Sequence, residues 1–103
     1  MAIKSWNTKT YRMLYRRFEP GESLIEGLES LALSEGIREA AVTSCIGSLS
    51  QLKLRNLCDR KEGVPEFERQ TINENLELVS AEGYVQPLEE GGIRVHIHVA
   101  AAR

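Results

Sequence analysis

The sequence predicts an α+β domain, with one N-terminal helix packed on a mostly antiparallel sheet. Three observations carry that expectation. One strongly signalled helix falls early, near 21–35. Short alternating segments, punctuated by Gly, Asn and Pro, fill the rest of the chain. The connections between those segments are short, which favours antiparallel neighbours over crossovers. With 103 residues, 42% of them apolar and 27% charged, there is room for one domain, 1–103, around one core.

Taken in order, residues 8–18 are rich in Tyr, Met, Leu and Phe, alternate imperfectly with Arg, and read as a strand. Glu19-Pro20-Gly21 breaks that pattern. Ser23-Leu24-Ile25-Glu26 fits a capping box, in which the Ser hydroxyl and the Glu carboxylate satisfy free N–H groups at a helix start. Leu24, Ile25, Leu28, Leu31 and Ala32 recur at helical spacing and form one apolar face. Gly36 ends the helix, because only Gly enters the left-handed region without penalty, and Ile37 packs back on the last turn.

Residues 39–46 carry apolar side chains on both faces, as a strand buried on both sides would. Gly47-Ser48 reads as a turn. Residues 51–55 alternate cleanly and should pair antiparallel with the strand before them. Residues 58–65 read as an exposed charged loop, 67–72 as a short strand, Asn73-Glu74-Asn75 as a turn and 76–81 as a strand. Gly83 interrupts before Tyr84-Val85, and 86–92 form a polar turn. The last strand, 93–99, puts Ile93, Val95, Ile97 and Val99 on one face and Arg94, His96, His98 and Ala100 on the other.

Composition excludes little and suggests little. A net charge of −2 and a pI near 5.7 give no overall footprint for nucleic acid, although Lys4, Lys9, Arg12, Arg16 and Arg17 concentrate basic charge near the start. No apolar run is long enough for a transmembrane helix, so no membrane association is expected. No basic start followed by an apolar stretch indicates a signal peptide, so the cytoplasm is the expected compartment.

His96 and His98 are the only histidines. Two residues apart on a strand, they share a face about 6.5–7 Å apart, close enough to tip toward one ion with bonds of about 2.0–2.1 Å. Zinc would need a third protein ligand, for which Glu77, Cys45, Cys58 or a residue of a second subunit are the candidates. Two packed rings on a half-buried sheet face satisfy the same spacing. Glu77 lies in an apolar run and either faces a site or occupies the wet side of an alternating strand. Cys45 reads as a small core residue. Cys58, near Arg55, Arg60 and Lys61, is a candidate for a more reactive thiol.

Four stretches together resemble one family. Arg17-Phe18-Glu19-Pro20-Gly21-Glu22-Ser23-Leu24 resembles the strand-to-helix entry of the PPC (plants and prokaryotes conserved) domain. This domain is shared by stand-alone bacterial and archaeal proteins and by plant AT-hook nuclear-localised proteins. Ala41-Val42-Thr43-Ser44-Cys45-Ile46-Gly47-Ser48-Leu49 is similar to its strand and turn. Asn75-Leu76-Glu77-Leu78-Val79-Ser80-Ala81-Glu82-Gly83 and Arg94-Val95-His96-Ile97-His98-Val99 are similar to two further strands, with Arg94 where the family tends to have Pro.

The resemblance implies a helix against a seven-strand, largely antiparallel sheet, assembly as a homo-oligomer, usually a trimer, and histidines clustered near a subunit interface that holds a metal in some members. The family pattern continues with a Gly-Gly-His-Leu turn and further strands, whereas this sequence ends at Arg103. The expectation is therefore a PPC-like domain lacking its C-terminal part, and with it the obvious third ligand. The family is commonly linked to DNA binding, but the plant proteins bind through an Arg-Gly-Arg-Pro hook that does not occur here. The expected function is a self-associating regulatory module, bound to DNA weakly or through partners. The alternative is a metal-dependent small-molecule or enzymatic activity at a subunit interface, using zinc on His96 and His98 with Glu77 and Arg94 facing the site.

Overall fold

Helix α1, Leu24–Ser34, forms between the signals that the sequence places at its ends. The Ser23 hydroxyl accepts the Glu26 N–H at 3.3 Å, and Ile37 donates to the Ala32 carbonyl at 2.8 Å beyond Gly36, whose φ is 67°. Removing the cap with Ser23→Ala should cost about 1 kcal/mol in chemical denaturation. The computed structural model describes residues 5–103, apart from the side chains of 57–61.

Among the described residues six strands follow: β1 Ala40–Val42, β2 Gly47–Leu49, β3 Leu52–Lys61, β4 Val64–Ile72, β5 Leu76–Pro87 and β6 Ile93–Ala102. The expected α+β architecture is present, and all pairings are antiparallel. Strand β5 is the spine of the main sheet. One of its edges pairs with β6 along its length, and the other holds β2 beside Leu76–Leu78 and β1 beside Gly83–Val85. Helix α1 packs on this sheet over β6.

The core is small. Leu76, Leu78, Ala81 and Val85 of β5 are buried with Ala32 of the helix. An even-numbered pair followed by an odd-numbered pair would face opposite sides of a regular strand. Leu78 pairs with Ala101 and Ser80 with Ala100, so Val79 is an extra residue, a β-bulge that resets the phase and keeps all four on the core side.

Several expectations are corrected. The stretch 39–46 is not a strand buried on both sides: it leaves the ladder after Val42, opposite the bulge of β5, and rejoins it as β2 at Gly47–Leu49, where a turn was expected. Strand β3 pairs with β4, not with its predecessor, and the two make a separate two-stranded ribbon. The expected loop over 58–65 is the tip of that ribbon. Glu62 and Gly63, with φ of 51° and 80°, form a two-residue turn of the primed kind whose twist suits a hairpin. Gly83 does not interrupt β5; it sits inside it.

The arm 8–18 forms no strand and pairs with none among the described residues. Its even-numbered arginines turn to the residues flanking the helix instead. Arg12 donates to the Glu35 carboxylate at 3.0 Å and carbonyl at 2.5 Å, and Arg16 donates to Glu22 at 2.5 Å. Arg16 lies over the Phe18 ring at 4.4 Å, and the two cover Gly27, where a Cβ would approach both within 2.3 Å. Tyr11, Met13 and Tyr15 are left 92%, 83% and 93% exposed. The arm and the ribbon extend the molecule to a radius of gyration of 15.9 Å, against about 13 Å for a compact domain of this length.

At the foot of the arm, the Glu22 carboxylate is held below its ordinary value, mainly by the Glu19 N–H at 2.8 Å and further by Arg16. A lowered folded-state value stabilises above the ordinary 4.5 and is lost as pH falls through the folded value. The stability difference between wild type and Glu22→Gln, read from thermal melts, should accordingly be full near neutrality and vanish in acid.

Candidate functional site

The pairing of β5 with β6 dictates which side chains meet on the solvent side of the sheet. Val95, Ile97 and Val99 point to the core side, so Arg94, His96 and His98 stand on the exposed face. Across the ladder, Arg94 pairs with Gln86, His96 with Tyr84 and His98 with Glu82. The two histidines do share a face, as their spacing predicts.

Their rings converge. The Nε2 atoms of His96 and His98 lie 3.1 Å apart, a distance at which one ring donates to the other. The Tyr84 ring stacks on His96 with centroids 5.2 Å apart and planes 12° from parallel, while the two imidazoles are 5.0 Å apart and tilted by 50°. Tyr84 thereby fixes the outer face of His96 and leaves its Nε2 aimed along the strand. Two bonds of about 2.0–2.1 Å to one ion would span a nitrogen separation only slightly larger, so the pair fits a two-histidine metal grip.

The remaining candidates do not join it. Glu77 shares the exposed face but lies opposite Ala102, four positions beyond His98, or roughly 13 Å along the strand. Glu82, directly across from His98, is the nearer carboxylate, and sequence reasoning passed over it because register across strands is invisible in one strand. Cys45 is half-buried and free, and burial pushes its thiol up, away from the thiolate that a ligand or nucleophile needs. The Cys58 side chain lies outside the described residues, as does Lys4. Among the described residues no group of three or more His, Cys, Asp or Glu is placed to hold a metal. Arg94 flanks His96 on the same face, exposed.

Gly83 is the second residue that sequence reasoning misread. It pairs with Val42 on one side and Ile97 on the other. A Cβ there would lie 1.8 Å from the His96 carbonyl oxygen. Its absence allows the close strand approach that sets His96 in place.

One helix over an antiparallel sheet, with a paired-histidine strand beside the central one, defines an α+β domain of the kind the sequence resembles. The chain belongs to the Plants and Prokaryotes Conserved (PCC) domain family, whose model it matches over residues 7–103. It is 32% identical over 96 residues to the Bifunctional protein GlmU of Synechococcus sp. (strain JA-3-3Ab), a match covering 93% of this chain and 14% of that protein. It is 34% identical over 87 residues to the protein of that name from Synechococcus sp. (strain JA-2-3B'a(2-13)), covering 84% and 12%. The chain thus spans only a small part of these curated relatives. Its fold is similar to the crystal structure of a "putative DNA binding protein" from Bacteroides thetaiotaomicron, with a TM-score of 0.65 and 20% identity over 78% of this chain and 52% of that one.

No helix among the described residues is long and apolar enough to cross a membrane.

Proposed function

We propose that the chain is a DNA-binding regulatory module that acts as a homo-oligomer, usually trimeric in its family, without an AT-hook of its own. The observation that carries this reading is family membership over 7–103, joined to a fold shared with a protein described as a "putative DNA binding protein". Similarity to a small part of a bifunctional protein supports a module that works alongside other domains. Self-association is supported by the outer edge of β6, which has no partner strand among the described residues, since an open edge is a template for another chain. The test is fluorescence anisotropy with a labelled duplex at low salt, run beside sedimentation equilibrium. Salt-dependent binding by an oligomer is the expected result; a monomer that leaves the duplex unbound overturns the proposal. The cytoplasm is the compartment that suits such a module, and tagging would show it.

A second reading rests on the 3.1 Å approach of the two imidazole nitrogens. His96 and His98 would hold a zinc ion whose coordination is completed from another subunit, and the ion would polarise a bound small molecule or water. Glu77 is too far along the strand to be the third ligand within one chain. Metal analysis of purified protein should find zinc in stoichiometric amount, lost in His96→Ala. Metal-free wild type that takes up no added zinc overturns this reading.

A further inference from the structure

We propose that the β3–β4 ribbon is the surface with which the chain meets duplex DNA, its basic outer face entering the major groove. This rests on the DNA-binding reading above and assigns it a place.

Hairpin register puts Arg55 directly opposite Arg69, Lys53 opposite Thr71 and Phe67 opposite residue 57. By strand alternation, Lys53, Arg55, Phe67, Arg69 and Thr71 share one face, all exposed. Glu68 and Gln70 fall on the other face with Leu52, Leu54 and Ile72, which are half-buried. The described residues of the outer face therefore include three cations and no carboxylate.

Like charges directly opposite each other on a sheet are destabilising. Arg12, Arg16 and Arg103 each meet a glutamate, whereas Arg17, Arg38 and Arg94 form no ion pair among the described residues; what sets the ribbon apart is that two of its arginines stand directly opposite each other. Lys53, Arg55 and Arg69 form no ion pair among the described residues, and the Arg55 guanidinium carbon lies over the Phe67 ring, 4.3 Å from its centroid. An opposed arginine pair without a counter-charge, on a molecule of net charge −2, is a receptor for an external anion rather than a general basic surface.

Shape selects which polyanion. The ribbon is two strands wide, about 5 Å between axes and roughly 30 Å long, and stands apart from the main sheet. The major groove of B-DNA, about 12 Å wide, admits a two-stranded ribbon, whereas the deep, narrow major groove of duplex RNA does not. At the base of the ribbon, Gln51 donates to Asn73 at 2.5 Å and joins its two ends. The N-terminal basic residues are a poorer candidate, because Arg12 and Arg16 are already paired with glutamates that flank the helix.

The experiment compares wild type with the triple variant Lys53→Gln, Arg55→Gln, Arg69→Gln by anisotropy on labelled duplex DNA across a salt series. Each lost phosphate contact lowers the log–log salt slope by about 0.9, so the triple variant should lose up to about 2.7 in slope and bind about tenfold or more weakly near 0.1 M salt. Arg69→Glu guards against misfolding. It replaces a like-charged pair with an opposite one, so its melting temperature should hold or rise while DNA affinity falls. Wild type that binds while the triple variant binds with equal affinity and slope overturns the ribbon assignment and leaves the DNA reading standing. Wild type that binds no duplex at low salt overturns both. Equal affinity for duplex RNA of the same sequence overturns groove entry.

Discussion

Gly83→Ala is expected to unfold the domain at a denaturant concentration well below that of wild type, with a loss of about 3 kcal/mol or more. The added methyl would lie 1.8 Å from the His96 carbonyl oxygen and 2.9 Å from the Ile97 Cα. Both are backbone atoms of a strand paired with β5 along its whole length, so neither can rotate away as a side-chain tip would. Relief requires β5 and β6 to part at the centre of the main sheet. A domain of this size has only about 5–15 kcal/mol of net stability, and a loss of 3 kcal/mol lowers its melting temperature by roughly 12–24 °C. Urea denaturation checks the free energy. His96→Ala is the control, since its side chain is exposed and its removal leaves the carbonyl in place. A Gly83→Ala protein within about 0.5 kcal/mol of wild type would show that the strands do not approach as described.

Leu78→Ala is expected to cost about 3 kcal/mol, within the range for a buried leucine cut back to alanine. Leu78 is 4% exposed, and its ladder neighbours Gly47 and Ala101 are too small to fill the space left behind. The informative comparison is Val79→Ala. Val79 is 54% exposed on the bulge, so its truncation should change stability by no more than about 0.5 kcal/mol. Equal losses at the two positions would mean that β5 carries no bulge and that its core face is differently phased.

These two residues show where the sequence was readable and where it was not. The helix was legible because its signals are local: Ser23 and Gly36 act within a turn of their own positions. Strand β6 was legible for the same reason, its alternation being unbroken from Ile93 to Val99. The placement of both histidines on one face followed from that alternation alone. Family membership was legible in four short stretches, and the family match over 7–103 agrees.

What escaped depends on partners distant in the chain. The arm at 8–18 has the composition of a strand, but composition cannot supply the neighbour that a ladder requires. Arg12 and Arg16 meet glutamates that flank the two ends of the helix instead. The charged run around 58–65 has the polarity of a loop, yet two positive-φ residues at Glu62 and Gly63 turn it into a hairpin. Gly83 looked like a break because glycine usually weakens a strand; here it admits a neighbouring backbone. Glu82 escapes a sequence reading because no sequence pattern states which residue of β5 faces His98, and a bulge at Val79 shifts that correspondence by one.

The arm has a mechanical consequence. It is fastened by point attachments at Arg12, Arg16 and Phe18, without a continuous ladder, so tension applied at Thr8 would break those contacts one after another, as in unzipping, before it reached the helix.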